Sequence, residues 1–193
     1  EEADGPEVVL VLPLHSPGLV DRLTMDSPRH ELIERLRAAD CHGRLHAYIP
    51  VTAGGHPVVV HSKVMVVDDR LLRAGSANLS NRSMGFDSEC DLAIDAARAG
   101  AEPRRAIERF LHRLIAHYLR VPRADVISAV TREGSLAGAV EALRRPHANR
   151  LEPLPRRRLG PLRALLAAYH VGDPRSARDS FRPWRRGARS PRQ

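Results

Sequence analysis

The sequence has few aromatic residues, two cysteines, a single lysine and no long apolar run. A membrane-spanning helix needs roughly 18 or more consecutive apolar residues. The longest apolar stretches, around Val8–Leu14 and Val58–Val67, are interrupted and have the length of strands. Cys41 and Cys90 lie far apart without a metal-type spacing. We therefore expect no disulfide framework, and a reducing, cytoplasmic location.

Negative charge is scarce only at the C-terminal end. Residues 146–193 contain 12 arginines and three acidic residues, a net charge of +9, whereas residues 1–145 contain 19 basic and 20 acidic residues, a net charge of −1. The folded body is thus nearly neutral and the basicity belongs to the tail. Such a tail suits the phosphates of an anionic membrane surface, which would make the protein peripheral there, or those of a nucleic acid. A solvated tail is the favoured alternative.

The single lysine is informative because the other 30 basic residues are all arginine. Lysine carries a compact ammonium on a thin stem, which the broad guanidinium of arginine cannot replace. Lys63 lies two residues after His61. This position indicates a site that requires an ammonium group.

The apolar patterns predict an α/β body over residues 1–98, a helical appendage over 99–145 and a basic Arg/Pro-rich tail over 146–193. A helix is expected from an N-cap at Ser27, with Pro28 at its first position, to an end near Asp40 or Gly43. The predicted strands are Glu7–Leu14, Arg44–Val51, Val58–Val60, Val64–Val67, Leu71–Ala74 and Glu89–Asp95. The other predicted helices are Glu102–Leu119, Asp125–Thr131, Leu136–Leu143 and Pro161–Ala168, the last as the only ordered part of the tail.

A candidate site lies between residues 61 and 78. His61, Lys63 and Asp68 form the pattern H-x-K-x4-D, and the pattern G-S-x-N follows at Gly75–Asn78. On a strand, His61 and Lys63 would project to the same side. A neutral imidazole can attack phosphorus, while Lys63, Ser76 and Asn78 can bind the phosphate oxygens on which charge accumulates. Asp68, in a turn between two strands, is expected to hold local structure.

A carboxylate is needed to fix the tautomer of such a histidine. Glu89, at the start of the next predicted strand, is the best candidate, and Asp87 and Asp91 are alternatives that spacing does not exclude. Arg82 either contacts a phosphate or caps a turn; both interpretations stay open. His42 and His46 straddle Gly43 at a helix end, so we do not expect a zinc site there.

The two motifs resemble the signature of the phospholipase D superfamily, and Leu79–Glu89 resembles the extension found in its phospholipid-acting bacterial members. The resemblance covers residues 7–96 well. It implies an α/β/α sandwich in which His61 is the nucleophile or general acid, Lys63 and Asn78 bind phosphate, and Glu89 orients His61. It implies no metal and no cofactor.

The chain departs from this family in having one H-x-K motif, because the family builds each active site from two. Either two chains pair about a two-fold axis, or this is the second half of a longer chain. The absence of an initiator Met and the resemblance of the extension favour the second alternative. In that case His61 would act as the general acid.

The expected function is hydrolysis or alcohol exchange of a glycerophospholipid head group through a phospho-histidine. The expected partners are a phospholipid and the second motif-bearing half. A homodimeric nuclease using the basic tail, a cardiolipin synthase-like phosphatidyltransferase and a non-catalytic remnant are the alternatives. Nucleic acid is the less favoured partner.

Overall fold

The computed structural model of the protein describes residues 5–18, 22, 25–156, 160 and 173–174. Two compact units divide the chain. The first consists of Glu1–Leu14, Ala39–Gly75 and Asp91–Pro155, and the second of His15–Ala38, Ser76–Cys90 and Arg156–Gln193. In chain order the elements are β1 (Val8–Val11), α1 (Asp26–Ala39), β2 (Leu45–Val51), β3 (Lys63–Val67), β4 (Leu71–Gly75), α2 (Asn81–Gly85), β5 (Asp91–Asp95), α3 (Ala96–Ala99), α4 (Ala101–Leu119), α5 (Arg123–Glu133), α6 (Leu136–Leu143) and β6 (Arg150–Pro153).

The first unit contains a three-stranded sheet in the order β1-β2-β6. The central strand β2 is parallel to β1 and antiparallel to β6. Its apolar residues Ala47, Tyr48, Ile49 and Val51 are buried, as expected for a strand with neighbours on both edges. The Asp40 carboxylate accepts hydrogen bonds from the backbone N–H groups of Arg44 and Leu45 at 3.0 and 2.9 Å, and these bonds lower the pKa of Asp40.

A second sheet of the same unit has the order β3-β4-β5, with both pairings antiparallel. Its register places Lys63 opposite Gly75, and Gly75 opposite Asp91. Directly opposed residues share a face of the sheet. Lys63 and Asp91 are therefore on one face, separated by a residue without a side chain.

The helices of the C-terminal part share a core with the first sheet. The buried cluster joins residues of β2, β6, α4, α5 and α6, namely Tyr48, Ile115, Ala116, Leu119, Val126, Val140 and Leu151. The apolar stripe of α4 provides three of these seven side chains, which explains why it forms a long amphipathic helix. Residues 99–145 thus have no separate core.

Most predicted elements form, and the α/β fold class is confirmed. The strand expected at Val58–Val60 does not form: Val58 N–H donates to the Pro50 carbonyl at 2.8 Å, but Pro50 has no N–H to donate back to the Val58 carbonyl. Ser27 is not an N-cap, because α1 begins at Asp26 and includes it. The strand expected from Glu89 starts at Asp91.

The largest correction concerns the segment after Pro146. Helix 161–168 was expected to be its only ordered part, and this is wrong because Arg150–Pro153 forms β6. Leu151 has no exposed surface and belongs to the main core. The helix predicted at Pro161–Ala168 lies outside the described residues. Among the residues that are described, no helix has the length and apolar character to span a membrane.

Candidate active site

His61 and Lys63 lie at the beginning of β3, in the first unit. The strand starts at Lys63, so His61 immediately precedes it. The Lys63 ammonium donates a hydrogen bond to the His61 carbonyl oxygen at 2.8 Å, and Nζ lies 3.1 Å from Nε2 and 3.3 Å from Nδ1 of the His61 ring. A donor can bond to a ring nitrogen only if that nitrogen carries a lone pair. Which ring nitrogen accepts from Lys63 depends on the tautomer of His61.

Asp68 occupies the turn between β3 and β4. It has a positive φ of 50°, a conformation that Asp tolerates better than most residues. The turn is closed by a hydrogen bond from Arg70 N–H to the Val67 carbonyl at 3.1 Å. The next residue, Asp69, forms an ion pair with Arg104 at 3.1 Å. This geometry supports the structural interpretation of Asp68.

Ser76 belongs to the second unit and directly follows the end of β4 at Gly75. Its hydroxyl donates to a carboxylate oxygen of Glu89 at 2.6 Å and accepts from the backbone N–H of Cys90 at 2.9 Å. Its own N–H donates to the Cys90 carbonyl at 3.0 Å. Ser76 and Asn78 are exposed, whereas Ala77 between them is 8% exposed. The alternation directs the two polar side chains away from the protein interior.

The extension after Asn78 forms the short helix α2. Ser80 is its N-cap and accepts from Ser83 N–H at 3.3 Å. The Asp173 carboxylate accepts from the backbone N–H groups of Asn81 and Arg82 at 2.9 and 3.0 Å. Asp173 lies some ninety residues away in the chain, so no local pattern could have indicated this contact.

Arg82 and the carboxylates near it have definite partners. Arg82 Nε lies 3.0 Å from Asp87, and Arg73 forms an ion pair with Asp91 at 2.7 Å. Both alternatives to Glu89 are thus bonded to arginine, while Glu89 accepts from Ser76. The role of Glu89 as the partner of His61 stays a prediction.

The structure brings the predicted site residues together in two groups. His61 and Lys63 are in contact in the first unit, and Ser76 and Glu89 are in contact in the second, which also contains Asn78. The first group pairs the charged Lys63 with His61, and the second pairs the charged Glu89 with Ser76. A cation next to an imidazole, and exposed hydroxyl and amide groups after a strand end, are what binding and attack on a phosphate diester require.

Comparison with known proteins agrees with these motifs. Residues 2–111 match a family model described as "Cardiolipin synthase, PLD-like domain". Phospholipase D A of Dictyostelium discoideum is 42% identical over 51 residues, which are 26% of this chain and 4% of that relative. The chain thus spans only a small part of the relative's length. No solved structure gives a significant match.

Proposed function

Since the chain belongs to the phospholipase D-like domain family, we propose that it provides one half of a phosphodiester-cleaving site that acts on glycerophospholipids. The observation that carries the proposal is the contact of the chain's single lysine with the histidine of the motif, Lys63 Nζ to His61 Nε2 at 3.1 Å. The α/β/α sandwich of the superfamily is the arrangement that we propose for the α/β elements.

The reaction would occur in two displacements. One imidazole nitrogen attacks phosphorus and the bond to the head-group oxygen breaks, while a second histidine donates the proton to the leaving oxygen. In the second step water or an alcohol loses its proton to that second histidine and attacks phosphorus. This breaks the P–N bond and restores the first imidazole. His61 would supply one of the two imidazoles.

The remaining residues would stabilise charge on the phosphate. The Lys63 ammonium bonds to the His61 carbonyl and ring, and a bound phosphate oxygen would replace one of these acceptors. Asn78 would donate to another non-bridging oxygen, and the Ser76 hydroxyl would do so by exchanging its hydrogen bond to Glu89 for one to the phosphate. Gly75, opposite Lys63 in the register, leaves space on that face of the sheet because it has no side chain.

A second H-x-K motif must come from another half or another copy, because one histidine cannot serve as both nucleophile and acid in the same step. A longer chain would supply it within one polypeptide, with His61 as the acid. A pair of identical chains would supply it by symmetry. Either arrangement gives the same chemistry.

The direct test is release of nitrophenol from bis(p-nitrophenyl) phosphate in EDTA by the wild type and by His61→Ala. We expect the variant to have no activity above background. Because a half-site on its own is inactive in the first arrangement, binding of inorganic phosphate by calorimetry is measured in parallel, with Lys63→Ala as control. Phosphate binding that is equal in wild type and Lys63→Ala, together with no diester cleavage, would contradict the proposal.

A second candidate function is phosphatidyl transfer to a lipid alcohol, which the description of the matching family model favours. Hydrolysis and phosphatidyl transfer are distinguished by an assay in which phosphatidylglycerol is the sole lipid. Hydrolysis yields phosphatidic acid and glycerol, whereas transfer to a second phosphatidylglycerol yields cardiolipin and glycerol. Chromatography of the lipid products decides between them.

A further inference from the structure

The segment that follows Ser76 and Asn78 exposes two large apolar side chains. Leu79 is 78% exposed and Met84 is 61% exposed. Leu79 directly precedes the N-cap Ser80, and Met84 is the fourth residue of α2. These are the two positions that contact each other in a hydrophobic staple. We call these two exposed side chains, which occupy the staple positions on either side of the N-cap, the Leu79–Met84 knob.

Hydrogen bonds fix the backbone on which the two knob residues lie. Met84 N–H donates to the Ser80 carbonyl at 3.0 Å, and Ser80 caps the helix. Asp173 accepts hydrogen bonds from Asn81 and Arg82. The exposure of the two side chains thus follows from a bonded local structure, and it leaves apolar surface in water at a cost in free energy.

The charges within segment 79–86 suit contact with a lipid surface better than contact with a polyanion or a protein. Arg82 is the one charged residue of segment 79–86, and it is bonded to Asp87. Binding of nucleic acid is driven by cations that neutralise phosphates, and here the cation already has a carboxylate. A stable protein interface buries about 1,000 Å² or more, far above what two side chains offer. Insertion of a few apolar side chains between head groups needs no such area.

We propose that the Leu79–Met84 knob inserts into the surface of a phospholipid bilayer and so brings a lipid phosphodiester to Ser76 and Asn78 of the same unit. This inference rests on the proposed function and names the physical state of its substrate, a lipid in an aggregate. Asn78 directly precedes Leu79 in the chain, so insertion at Leu79 places Asn78 at the depth of the head groups.

The first test is co-sedimentation of the whole chain with phosphatidylcholine vesicles at high salt, where attraction between the basic tail and lipid is screened. The Leu79→Ser/Met84→Ser double variant should lose about tenfold or more of the partition coefficient. Leu92→Ser is the matched control, because Leu92 on β5 is equally exposed at 78%. It should change the partition less than about twofold. Absence of wild-type binding, or equal losses in both variants, would overturn the inference.

A second measurement does not depend on loss of binding. Trp184 is the only tryptophan, so Met84→Trp in a Trp184→Phe background reports on the knob alone. We expect a blue shift on addition of vesicles and quenching by brominated acyl chains. An unshifted, unquenched spectrum would overturn the inference. The hydrolysis of soluble bis(p-nitrophenyl) phosphate tests the chemistry separately, since the knob variants should leave it unchanged.

Discussion

Lys63 shows how a single side chain distinguishes this site from an ordinary charged surface. Its ammonium is bonded to the His61 carbonyl at 2.8 Å and lies within 3.3 Å of both ring nitrogens. The compact ammonium of lysine makes these three contacts from one atom, whereas arginine would distribute its donors over a planar guanidinium. The identity of the residue thus matters beyond its charge.

Exchange of the cation tests this point. We expect Lys63→Arg to lower kcat on the soluble diester by about 10²-fold, the usual cost of losing one donor to the charged transition state. The reciprocal change Arg70→Lys, at an exposed turn residue of the same hairpin, should leave kcat within about twofold. Full activity of Lys63→Arg would show that charge alone suffices.

Glu89 is a proposed positioning residue, and substitution by glutamine removes its charge while keeping the shape of the side chain. Glu89→Gln keeps an oxygen that can accept from Ser76, but it removes the charge that would stabilise an imidazolium. We expect kcat to fall by about 10- to 10²-fold and the pH profile to change. Ser76→Ala, which removes the observed 2.6 Å hydrogen bond, should lower kcat without changing the form of the profile. Identical profiles in all three proteins would argue against a role for Glu89 toward a histidine.

At the scale of elements, α2 is too short to be stable by itself, since isolated helices of one or two turns are not stable in water. Its first N–H groups are satisfied by Ser80 and by Asp173. The second of these residues comes from a distant part of the chain. The order of the extension therefore depends on a long-range contact.

Removal of the distant cap should loosen α2. We expect Asp173→Ala to lower the local opening free energy by about 1 kcal/mol, the typical value of a cap, and so to speed amide exchange at Asn81 and Arg82 by roughly fivefold. Asp173→Asn retains an acceptor oxygen and should have a smaller effect. Unchanged exchange in Asp173→Ala, measured by hydrogen–deuterium exchange, would mean that Ser80 alone holds the helix.

Strand β6 was not predicted from the sequence, because the composition of its segment resembles that of a solvated tail. It lies in an arginine- and proline-rich segment, yet Leu151 is completely buried in the core with Tyr48 and Val126. We expect Leu151→Ala to lower the free energy of unfolding by about 2–5 kcal/mol through lost contacts and a cavity. Ile127→Ala, at a side chain 38% exposed, should cost less than about 1 kcal/mol. Urea denaturation measures both, and equal values would contradict the assignment of Leu151 to the core.

At the scale of the whole molecule, stability should fall at alkaline pH because of Tyr48. Burial, and then the nearby Glu141 charge and hydrogen bond, raise the pKa of Tyr48. Below about pH 10 the hydroxyl is protonated in the folded and unfolded states alike, so its stabilising contribution is complete. Above that pH the unfolded tyrosine ionises first. The free energy of unfolding then falls by up to about 1.4 kcal/mol per pH unit.

The substitution Tyr48→Phe removes the ionisable hydroxyl and with it this contribution to the pH dependence of stability. We expect the variant to be slightly less stable at pH 8, since it lacks the hydrogen bond to Glu141, but to lose less stability between about pH 10 and 11 than the wild type. Urea midpoints at several pH values give both slopes. Equal slopes would show that Tyr48 ionises alike in the folded and unfolded states.

The sequence by itself determined the α/β class and most elements, and it predicts the site residues. The spacing of the apolar residues was sufficient to predict α4 and α6 as helices, because an apolar stripe of this kind is buried only when the segment is helical. The motif at His61, Lys63 and Ser76 was sufficient for the superfamily, because its residue types and spacings serve one chemistry. The phospholipid substrate, the orienting role of Glu89 and a cytoplasmic location stay predictions.

Only the tertiary structure decided the features that depend on partners distant in the chain. Leu151 forms a strand because β2 offers an open edge and a core beside it, and its arginine-rich neighbours hide this in a composition count. Val58–Val60 remains outside the sheet although its residues favour strands, because Pro50, which lies opposite Val58, has no N–H to donate to the ladder. The contact of Ser76 with Glu89, and of Asp173 with α2, joins groups that no local pattern relates. Local propensity is a property of neighbours in sequence, whereas burial and hydrogen-bond pairing are properties of neighbours in space.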